Sequence, residues 1–274
     1  MEKRNTNENK IEMLVNKSHV EKKDIKHIWV DAVKPYAAHP FKLYHEEKLD
    51  ELVESIKEHG ILNPVIVRVV DNGYELLSGH NRWSATMILG MDKIPAIVKT
   101  GLTDAEAYVY VIETNLMQRS FADLLPSEQA AVLAARYDKK IRWYQWNYIV
   151  QEIAKLEGIE LGLDSDYLDD GQRNDRKKTL AKKFGISSAS VGRLLRINKL
   201  IPEFRNRVDG GSVNMRAAVE LSYCTEKEQK IVYELVKEKK IKLDPKTAKM
   251  IKEKSGELLA DGIVKLVEKN TKTK

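Results

Sequence analysis

The twenty residues from Lys177 to Arg196, KKTLAKKFGISSASVGRLLR, limit what this chain can fold into more than any other stretch. Counting Lys177 as the first, small Ala181 is fifth, Gly185 is ninth, and apolar Val191 and Leu194 are fifteenth and eighteenth. Two helices joined by a tight turn need these residues. The second helix crosses the first over a small side chain, the turn needs a residue at ease with positive φ, and the inner face of the second helix must be apolar. Leu180 and Phe184 fill the apolar positions of the first helix. The spacing predicts a helix-turn-helix unit, whose second helix can place its N-terminal residues against base edges in the major groove. Ser187, Ser188, Ser190 and Arg193 are the outward candidates there. Lys178, Lys182, Arg196 and Lys199 are candidates for holding the phosphate backbone.

Helix pairs with a glycine turn also occur as plain structure, so the charge around this one matters. The formal net charge is +6, and it is unevenly spread. Residues 171–216 hold twelve Lys and Arg against three Asp and Glu, whereas residues 25–138 hold eleven against sixteen. A basic block favours a polyanion, most often nucleic acid; the alternative is a solvated basic face. That the block coincides with the helix pair favours double-stranded DNA.

At 274 residues the chain is long enough for about two domains. Its longest clean apolar run, Ala130 to Ala135, falls far short of the roughly 18 residues a membrane helix needs. The opening MEKRNTNENK has no apolar segment of the secretory kind, so a cytoplasmic location is expected. The single cysteine, Cys224, can form neither an intrachain disulfide nor a multi-cysteine zinc site and reads as a small buried hydrophobe. The six histidines are scattered before residue 81 without paired metal-ligand spacing.

Residues 1–24 read as a polar, mostly disordered arm. Residues 25–101 read as a mixed α/β domain. Leu49, Leu52, Val53 and Ile56 mark an amphipathic helix over 46–59, closed by Gly60. Val65 to Val70 and Tyr74 to Ser78 form a hairpin about Asp71-Asn72-Gly73. A short helix follows over 82–89, then a strand over 94–99. From Gly101 onward the pattern turns helical. Thr103 and Glu106 make a capping box, and Pro126-Ser127-Glu128 opens another helix. Residues 102–222 are expected to be one helical domain containing the helix-turn-helix. Residues 223–274 are expected to be a helical region, with Leu259, Ile263 and Leu266 at helical spacing that Gly262 interrupts.

Two segments of the first half look chemical. Leu77-Ser78-Gly79-His80-Asn81-Arg82 runs from strand through tight turn into helix. A glycine, free helix N–H groups and an arginine can together hold a phosphate, though Arg82 could instead pair with an acid. Glu113-Thr114-Asn115-Leu116-Met117-Gln118-Arg119 clusters a carboxylate, two amides and an arginine at a helix end. Its oxygens suit Mg²⁺ and its arginine a phosphate, while a polar helix cap is the plainer reading.

The order of these pieces carries more than each alone. His39-Pro40-Phe41-Lys42, an amphipathic helix, a hairpin, GHNRWSA, ETNLMQR, LLPSEQA and a helix-turn-helix resemble the ParB partition family over about residues 25–222. The resemblance implies an α+β N-terminal domain of the ParB/sulfiredoxin kind, followed by an all-α helix-turn-helix domain and a helical C-terminal region. It implies CTP with Mg²⁺ in the first domain and a palindromic DNA site for the second. It further implies a homodimer that closes as a clamp on DNA, slow CTP hydrolysis, and a Walker-type partition ATPase as partner. The chain would be associated with a nucleoid or plasmid.

Carried over residue by residue, the nucleotide contacts are Phe41, Lys42, Gly79, His80, Asn81, Arg82, Gln118 and Arg119. Glu113 is the catalytic candidate, and Glu113 with Asn115 the Mg²⁺ ligands. The family's phosphate motif usually reads Gly-Glu-Arg-Arg-x-Arg-Ala. Here Gly79, Arg82 and Ala85 match, while His80, Asn81 and Ser84 replace a glutamate and two arginines. A transcriptional regulator with a degenerate nucleotide site is therefore the second reading, and a phosphoryl-transfer enzyme or nuclease the third. Sulfiredoxin chemistry needs a cysteine in the phosphate loop, which GHNR lacks.

Overall fold

The computed structural model describes residues 25–138, 141–159, 176–238, 243–256, 262, 264 and 265. The expected arm at 1–24, most of the linker at 158–171, and Leu259, Ile263 and Leu266 lie outside the described residues. The strands are β1 (Ile25–Trp29), β2 (Val33–Pro35), β3 (Val65–Val70), β4 (Gly73–Ser78) and β5 (Lys93–Lys99). The helices are α1 (Glu47–His59), α2 (His80–Ile88), α3 (Asp104–Gln118), α4 (Pro126–Tyr137), α5 (Trp143–Glu157) and α6 (Arg176–Lys183). They continue as α7 (Ser188–Ile197), α8 (Pro202–Asp209), α9 (Met215–Leu221), α10 (Glu226–Glu238) and α11 (Pro245–Glu253).

The chain divides into two compact units. The first comprises the segment up to Ser120 together with 139–171, and the second Phe121–Asp138 together with everything from Gln172 onward. In the first, five strands lie in the order β1-β5-β3-β4-β2. The β3–β4 hairpin and the β1–β5 pair are antiparallel, whereas β3–β5 and β2–β4 are parallel. Val65, Val67, Leu76, Ile94 and Ala96 alternate inward and are fully buried with Ile28, Val30 and Val33. Each large apolar side chain so buried contributes on the order of 1.5–3 kcal/mol. Helix α3 opens with its capping box intact: Thr103 Oγ1 accepts from the Glu106 N–H, and the Glu106 carboxylate accepts from the Thr103 N–H. Ala107, Val109, Tyr110, Val111 and Ile112 are buried as α3 packs on β4 and α5.

The domain boundary expected after Gly101 falls later in the structure. Two bonds explain why α3 and α5 stay with the sheet. The Glu152 carboxylate on α5 takes Lys99 from the end of β5 and the Tyr110 hydroxyl from α3. The chain thus leaves the first unit with α4 and returns to it with α5. Two strands, β1 and β2, went unread in the sequence because both are short and mostly exposed.

The second unit is all helical. Val191, Leu194, Ile197, Phe204, Leu221, Val232 and Ile251 form one buried cluster with Ala130 and Leu133 of α4. The Ser127 hydroxyl and N–H both donate to the Asp209 carboxylate, tying the start of α4 to the end of α8. Among the described residues, no helix is long and apolar enough to cross a membrane.

Candidate functional site

In the first unit, a cleft of about 340 Å³ opens where β4 meets α2. Strand β4 ends at Ser78, and Gly79 turns the chain at φ 93° into α2. A side chain there would adopt a strained backbone, and its Cβ would lie 2.7 Å from Val65 Cγ1. The turn presents the N-terminus of α2 to the cleft, with His80, Asn81 and Arg82 in its lining. Lys42, Leu43 and Tyr44 line it from the loop before α1, Asn63 from the loop before β3, Asn115 and Gln118 from α3, and Glu157 from α5.

Expected residues that meet here are Lys42, Gly79, His80, Asn81, Arg82, Asn115 and Gln118. Arg82 donates to the Pro64 carbonyl at 3.0 Å and to the Asn63 carbonyl, so its guanidinium braces the loop before β3. Burial lowers its pKa, and the Glu157 carboxylate pushes it back up. Asn81 Oδ1 accepts from the Tyr44 N–H at 2.9 Å and pins the loop before α1 to α2. His80 is 5% exposed, and its Nε2 is buried without a hydrogen-bond partner. Burial first, and the neighbouring His39 second, push its pKa down to about 3, so the ring is neutral. The His39 and His80 ring centres are 3.8 Å apart.

Three expected residues stand elsewhere. Phe41 is buried beneath His39 rather than lining the cleft, and Arg119 follows α3 outside the lining. Glu113 is 1% exposed, does not line the cleft, and accepts from the Trp146 indole N–H at 3.0 Å. The roles assigned to Glu113 in catalysis and Mg²⁺ binding are corrected by helix geometry. Residues two apart on a helix point about 200° apart, so Asn115 in the cleft turns Glu113 away from it. Asn115 and Gln118, three apart, share the face. Asn115 Nδ2 donates to the Val111 carbonyl at 2.9 Å, which leaves its Oδ1 as the acceptor. Among the described residues, no three His, Cys, Asp or Glu side chains gather as a metal site. Oxygen donors do line the cleft at Asn115, Gln118 and Glu157. A hard cation there would need phosphate and water oxygens as well, the usual habit of Mg²⁺. Glu157, Tyr44 and Asn63 escaped the sequence reading, because they arrive from separate elements and form no local motif.

The second unit holds the helix pair as the spacing required. Gly185 sits at φ 64° between α6 and α7, and Leu180, Ala181, Val191, Leu194 and Ile197 are buried. Ser187 caps α7, its Oγ accepting from the Ser190 N–H at 3.1 Å. Such a cap contributes about 1 kcal/mol. The Ser187 and Ser190 hydroxyls are 2.9 Å apart, and Arg193 Nη2 donates to Ser190 Oγ at 3.1 Å. These three side chains therefore form an ordered row along the outer face of α7. Lys178, Lys182, Arg193 and Lys199 are exposed, and Ser188 lies in the first turn of α7. Arg196 has a different task from the one expected. Its Nε donates to Ser222 Oγ at 2.9 Å, it donates to the Ser222 carbonyl, and its guanidinium lies 3.5 Å over the Tyr223 ring. It fastens α7 to the end of α9. Asn214 and Arg216, at the start of α9, line one groove with Ser190 and Arg193 and were not singled out in the sequence. Arg216 belongs to the basic block, which was the available signal.

Residues 15–115 match the family model of the ParB N-terminal domain. The chromosome-partitioning protein Spo0J of Thermus thermophilus is 30% identical over 182 residues, 66% of this chain and 54% of that protein. A nucleoid occlusion protein of Geobacillus kaustophilus is 37% identical over 115 residues, 42% of this chain and 40% of that protein. The chain thus spans about half the length of the relatives it matches. Among solved structures, truncated ParB from Caulobacter crescentus complexed with CTP-γ-S aligns at 19% identity and a TM-score of 0.32, over 77% of this chain and 97% of that one. Residues 15–115 thus match the ParB N-terminal domain, most of it in the mixed α+β unit, and the helix-turn-helix unit lies beyond it in the chain.

Proposed function

We propose that this chain is a site-specific DNA-binding partition protein whose first unit binds a nucleotide. The observation that carries the DNA half is the row Ser187, Ser190 and Arg193, held in order by its own hydrogen bonds on the exposed face of α7. Ordered donors lose little entropy on docking, and an arginine on a major-groove helix can take a guanine through two bonds. Lys178, Lys182 and Lys199 supply backbone contacts, and Asn214 and Arg216 extend the surface. A homodimer on a palindromic site follows from pairing two such units about a two-fold axis. Selection from a random duplex library tests this. A palindrome should be enriched, and enrichment of no sequence, or of a site without dyad symmetry, would refute the dimeric reader.

The nucleotide half rests on the cleft beside Gly79. A helix N-terminus with Arg82 and Lys42 at its mouth suits phosphate groups. The amides of Asn63, Asn81, Asn115 and Gln118 suit the polar edges of a base or sugar. CTP is the nucleotide that the family resemblance implies, with Mg²⁺ as its companion ion. When bound, the ion would neutralise phosphate charge. Asn115, Gln118 and Glu157 are the residues present to face it. A clamp on DNA, slow hydrolysis and a partition ATPase partner complete this reading.

One observation favours the second reading, a DNA binder whose nucleotide site has decayed. Arg82 already spends hydrogen bonds on the Asn63 and Pro64 carbonyls. Titration of the chain with CTP, ATP, GTP and UTP in Mg²⁺ separates the two. Saturable, CTP-selective heat supports the nucleotide reading, and heat with none of the four supports decay.

A further inference from the structure

Glu157 is the one carboxylate among the residues lining the cleft, and it comes from the element least tied to the cleft in sequence. Helix α5 lies beyond α4 in the chain, yet it belongs to the first unit. It is held there at three points. Trp146 donates to Glu113, while Glu152 takes Lys99 and Tyr110. Gly158, at φ 69°, ends the helix directly after Glu157. The helix that carries Glu157 is therefore tied to α3 and to the end of β5.

Helix stability does not ask for an acid at that position. The last turn of a helix carries partial negative charge on its free carbonyls, so a carboxylate there is electrostatically disfavoured. Arg82 donates to two backbone carbonyls, and the Glu157 charge offsets part of the cost of burying its guanidinium. That carboxylate also lines the cleft, where a ligand can meet it. What the arrangement creates is a cleft whose lining holds one carboxylate, Glu157 at the end of α5, together with Arg82 and the start of α2.

A polyphosphate entering this cleft meets attraction from Arg82, Lys42 and the start of α2, and repulsion from Glu157. A divalent cation removes the repulsion and turns Glu157 into an attractive partner. We propose that Glu157 couples phosphate binding in this cleft to a divalent cation. This rests on the nucleotide reading of the cleft. It goes beyond that reading by assigning the coupling to one residue of α5, instead of to Glu113 in the ETNLMQR segment.

The test is calorimetric titration of the full chain with CTP and, separately, inorganic triphosphate, each in Mg²⁺ and in EDTA. The wild type is compared with Glu157→Gln. Glu54→Gln removes one acid from the exposed part of α1 and controls for net charge. The wild type should bind at least roughly tenfold tighter in Mg²⁺ than in EDTA. In Glu157→Gln that ratio should shrink to about twofold, as affinity in EDTA rises and affinity in Mg²⁺ falls. Glu54→Gln should keep the wild-type ratio. A wild-type ratio in Glu157→Gln would overturn the proposal. So would an equal gain in both conditions, which would mean that Glu157 merely blocks the cleft. If the wild type binds neither CTP nor triphosphate in either condition, the nucleotide reading itself falls and takes this one with it. The glutamine is isosteric and sits at a helix end, and unchanged far-ultraviolet circular dichroism will confirm that the fold is kept.

Discussion

The two places where this chain can meet a polyanion are built on opposite terms. On α6 and α7 the positive charge lies in water, on lysines and an arginine whose stems need no burial. In the cleft, charge is sparse and half-buried: Arg82 is braced by two carbonyls, and His80 in the lining is neutral. An exposed basic surface works by releasing counterions from a duplex, so its strength depends on salt and on how many charges it offers. A small cleft works by geometry, with backbone N–H groups and a few oriented side chains, and is insulated from salt. In the function proposed above, phosphate is approached by number in one unit and by placement in the other.

That contrast can be broken or sharpened by substitution. The largest effect should come from Phe204→Ala. Phe204 is fully buried at the centre of the second unit, and losing it should cost about 3–5 kcal/mol. Hydrogen exchange should then show α7 amides losing protection, with DNA affinity lost alongside. Retained protection would mean that the recognition helix does not depend on this core.

His80 gives the next effect, in the first unit. Its folded pKa of about 3 lies below the ordinary histidine value of 6.5. Between those values the unfolded chain binds a proton that the folded chain refuses. The His80 contribution therefore makes folding less favourable as pH falls from about 6.5 towards 3, with a slope approaching about 1.4 kcal/mol per pH unit. Urea midpoints at several pH values should fall less steeply in His80→Gln than in the wild type. Parallel curves would show that the ring does not titrate this way.

Arg193 and Arg196 lie three residues apart on α7 and should behave differently. Arg193→Ala should weaken binding to the selected site by about 1–3 kcal/mol and relax preference at one base position. Arg196→Ala should instead destabilise the second unit by about 1–2 kcal/mol, through loss of the Ser222 bonds and the Tyr223 contact. Chemical denaturation and salt-dependent binding, measured on both variants, would expose an exchange of these roles. Lys178→Ala should do least, lowering the salt slope of DNA binding by about one.

Much of the fold could be read in the sequence, because local rules govern it. Gly60 closing α1, the Asp71-Asn72-Gly73 turn, the Thr103–Glu106 box and the Ala181–Gly185–Val191 spacing each act within a few residues, and each stands in the structure. The cleft was only half legible for the same reason. Gly79, Asn81 and Arg82 are neighbours in sequence, so their motif showed. Glu157, Tyr44 and Asn63 reach the cleft from three other elements, and no short pattern announces them. Glu113 illustrates a different failure: the motif was read as a cluster, although helical periodicity alone sends Glu113 and Asn115 to opposite faces. Arg196 was assigned by charge, when its neighbours Ser222 and Tyr223 decide what it does.

If one chain joins a DNA reader to a nucleotide-responsive unit, nucleotide must change how long it stays on DNA. The quantity to measure is the dissociation rate of the full chain from a duplex carrying the selected site with both ends blocked. It should be measured with CTP and Mg²⁺, with GTP and Mg²⁺, and without nucleotide. Loss should be markedly slower with CTP alone, and should return to the nucleotide-free rate in Asn81→Ala, which unpins the Tyr44 loop from the cleft. Identical rates under all three conditions, with site-specific binding intact, would contradict it and leave a DNA-binding protein without a nucleotide switch.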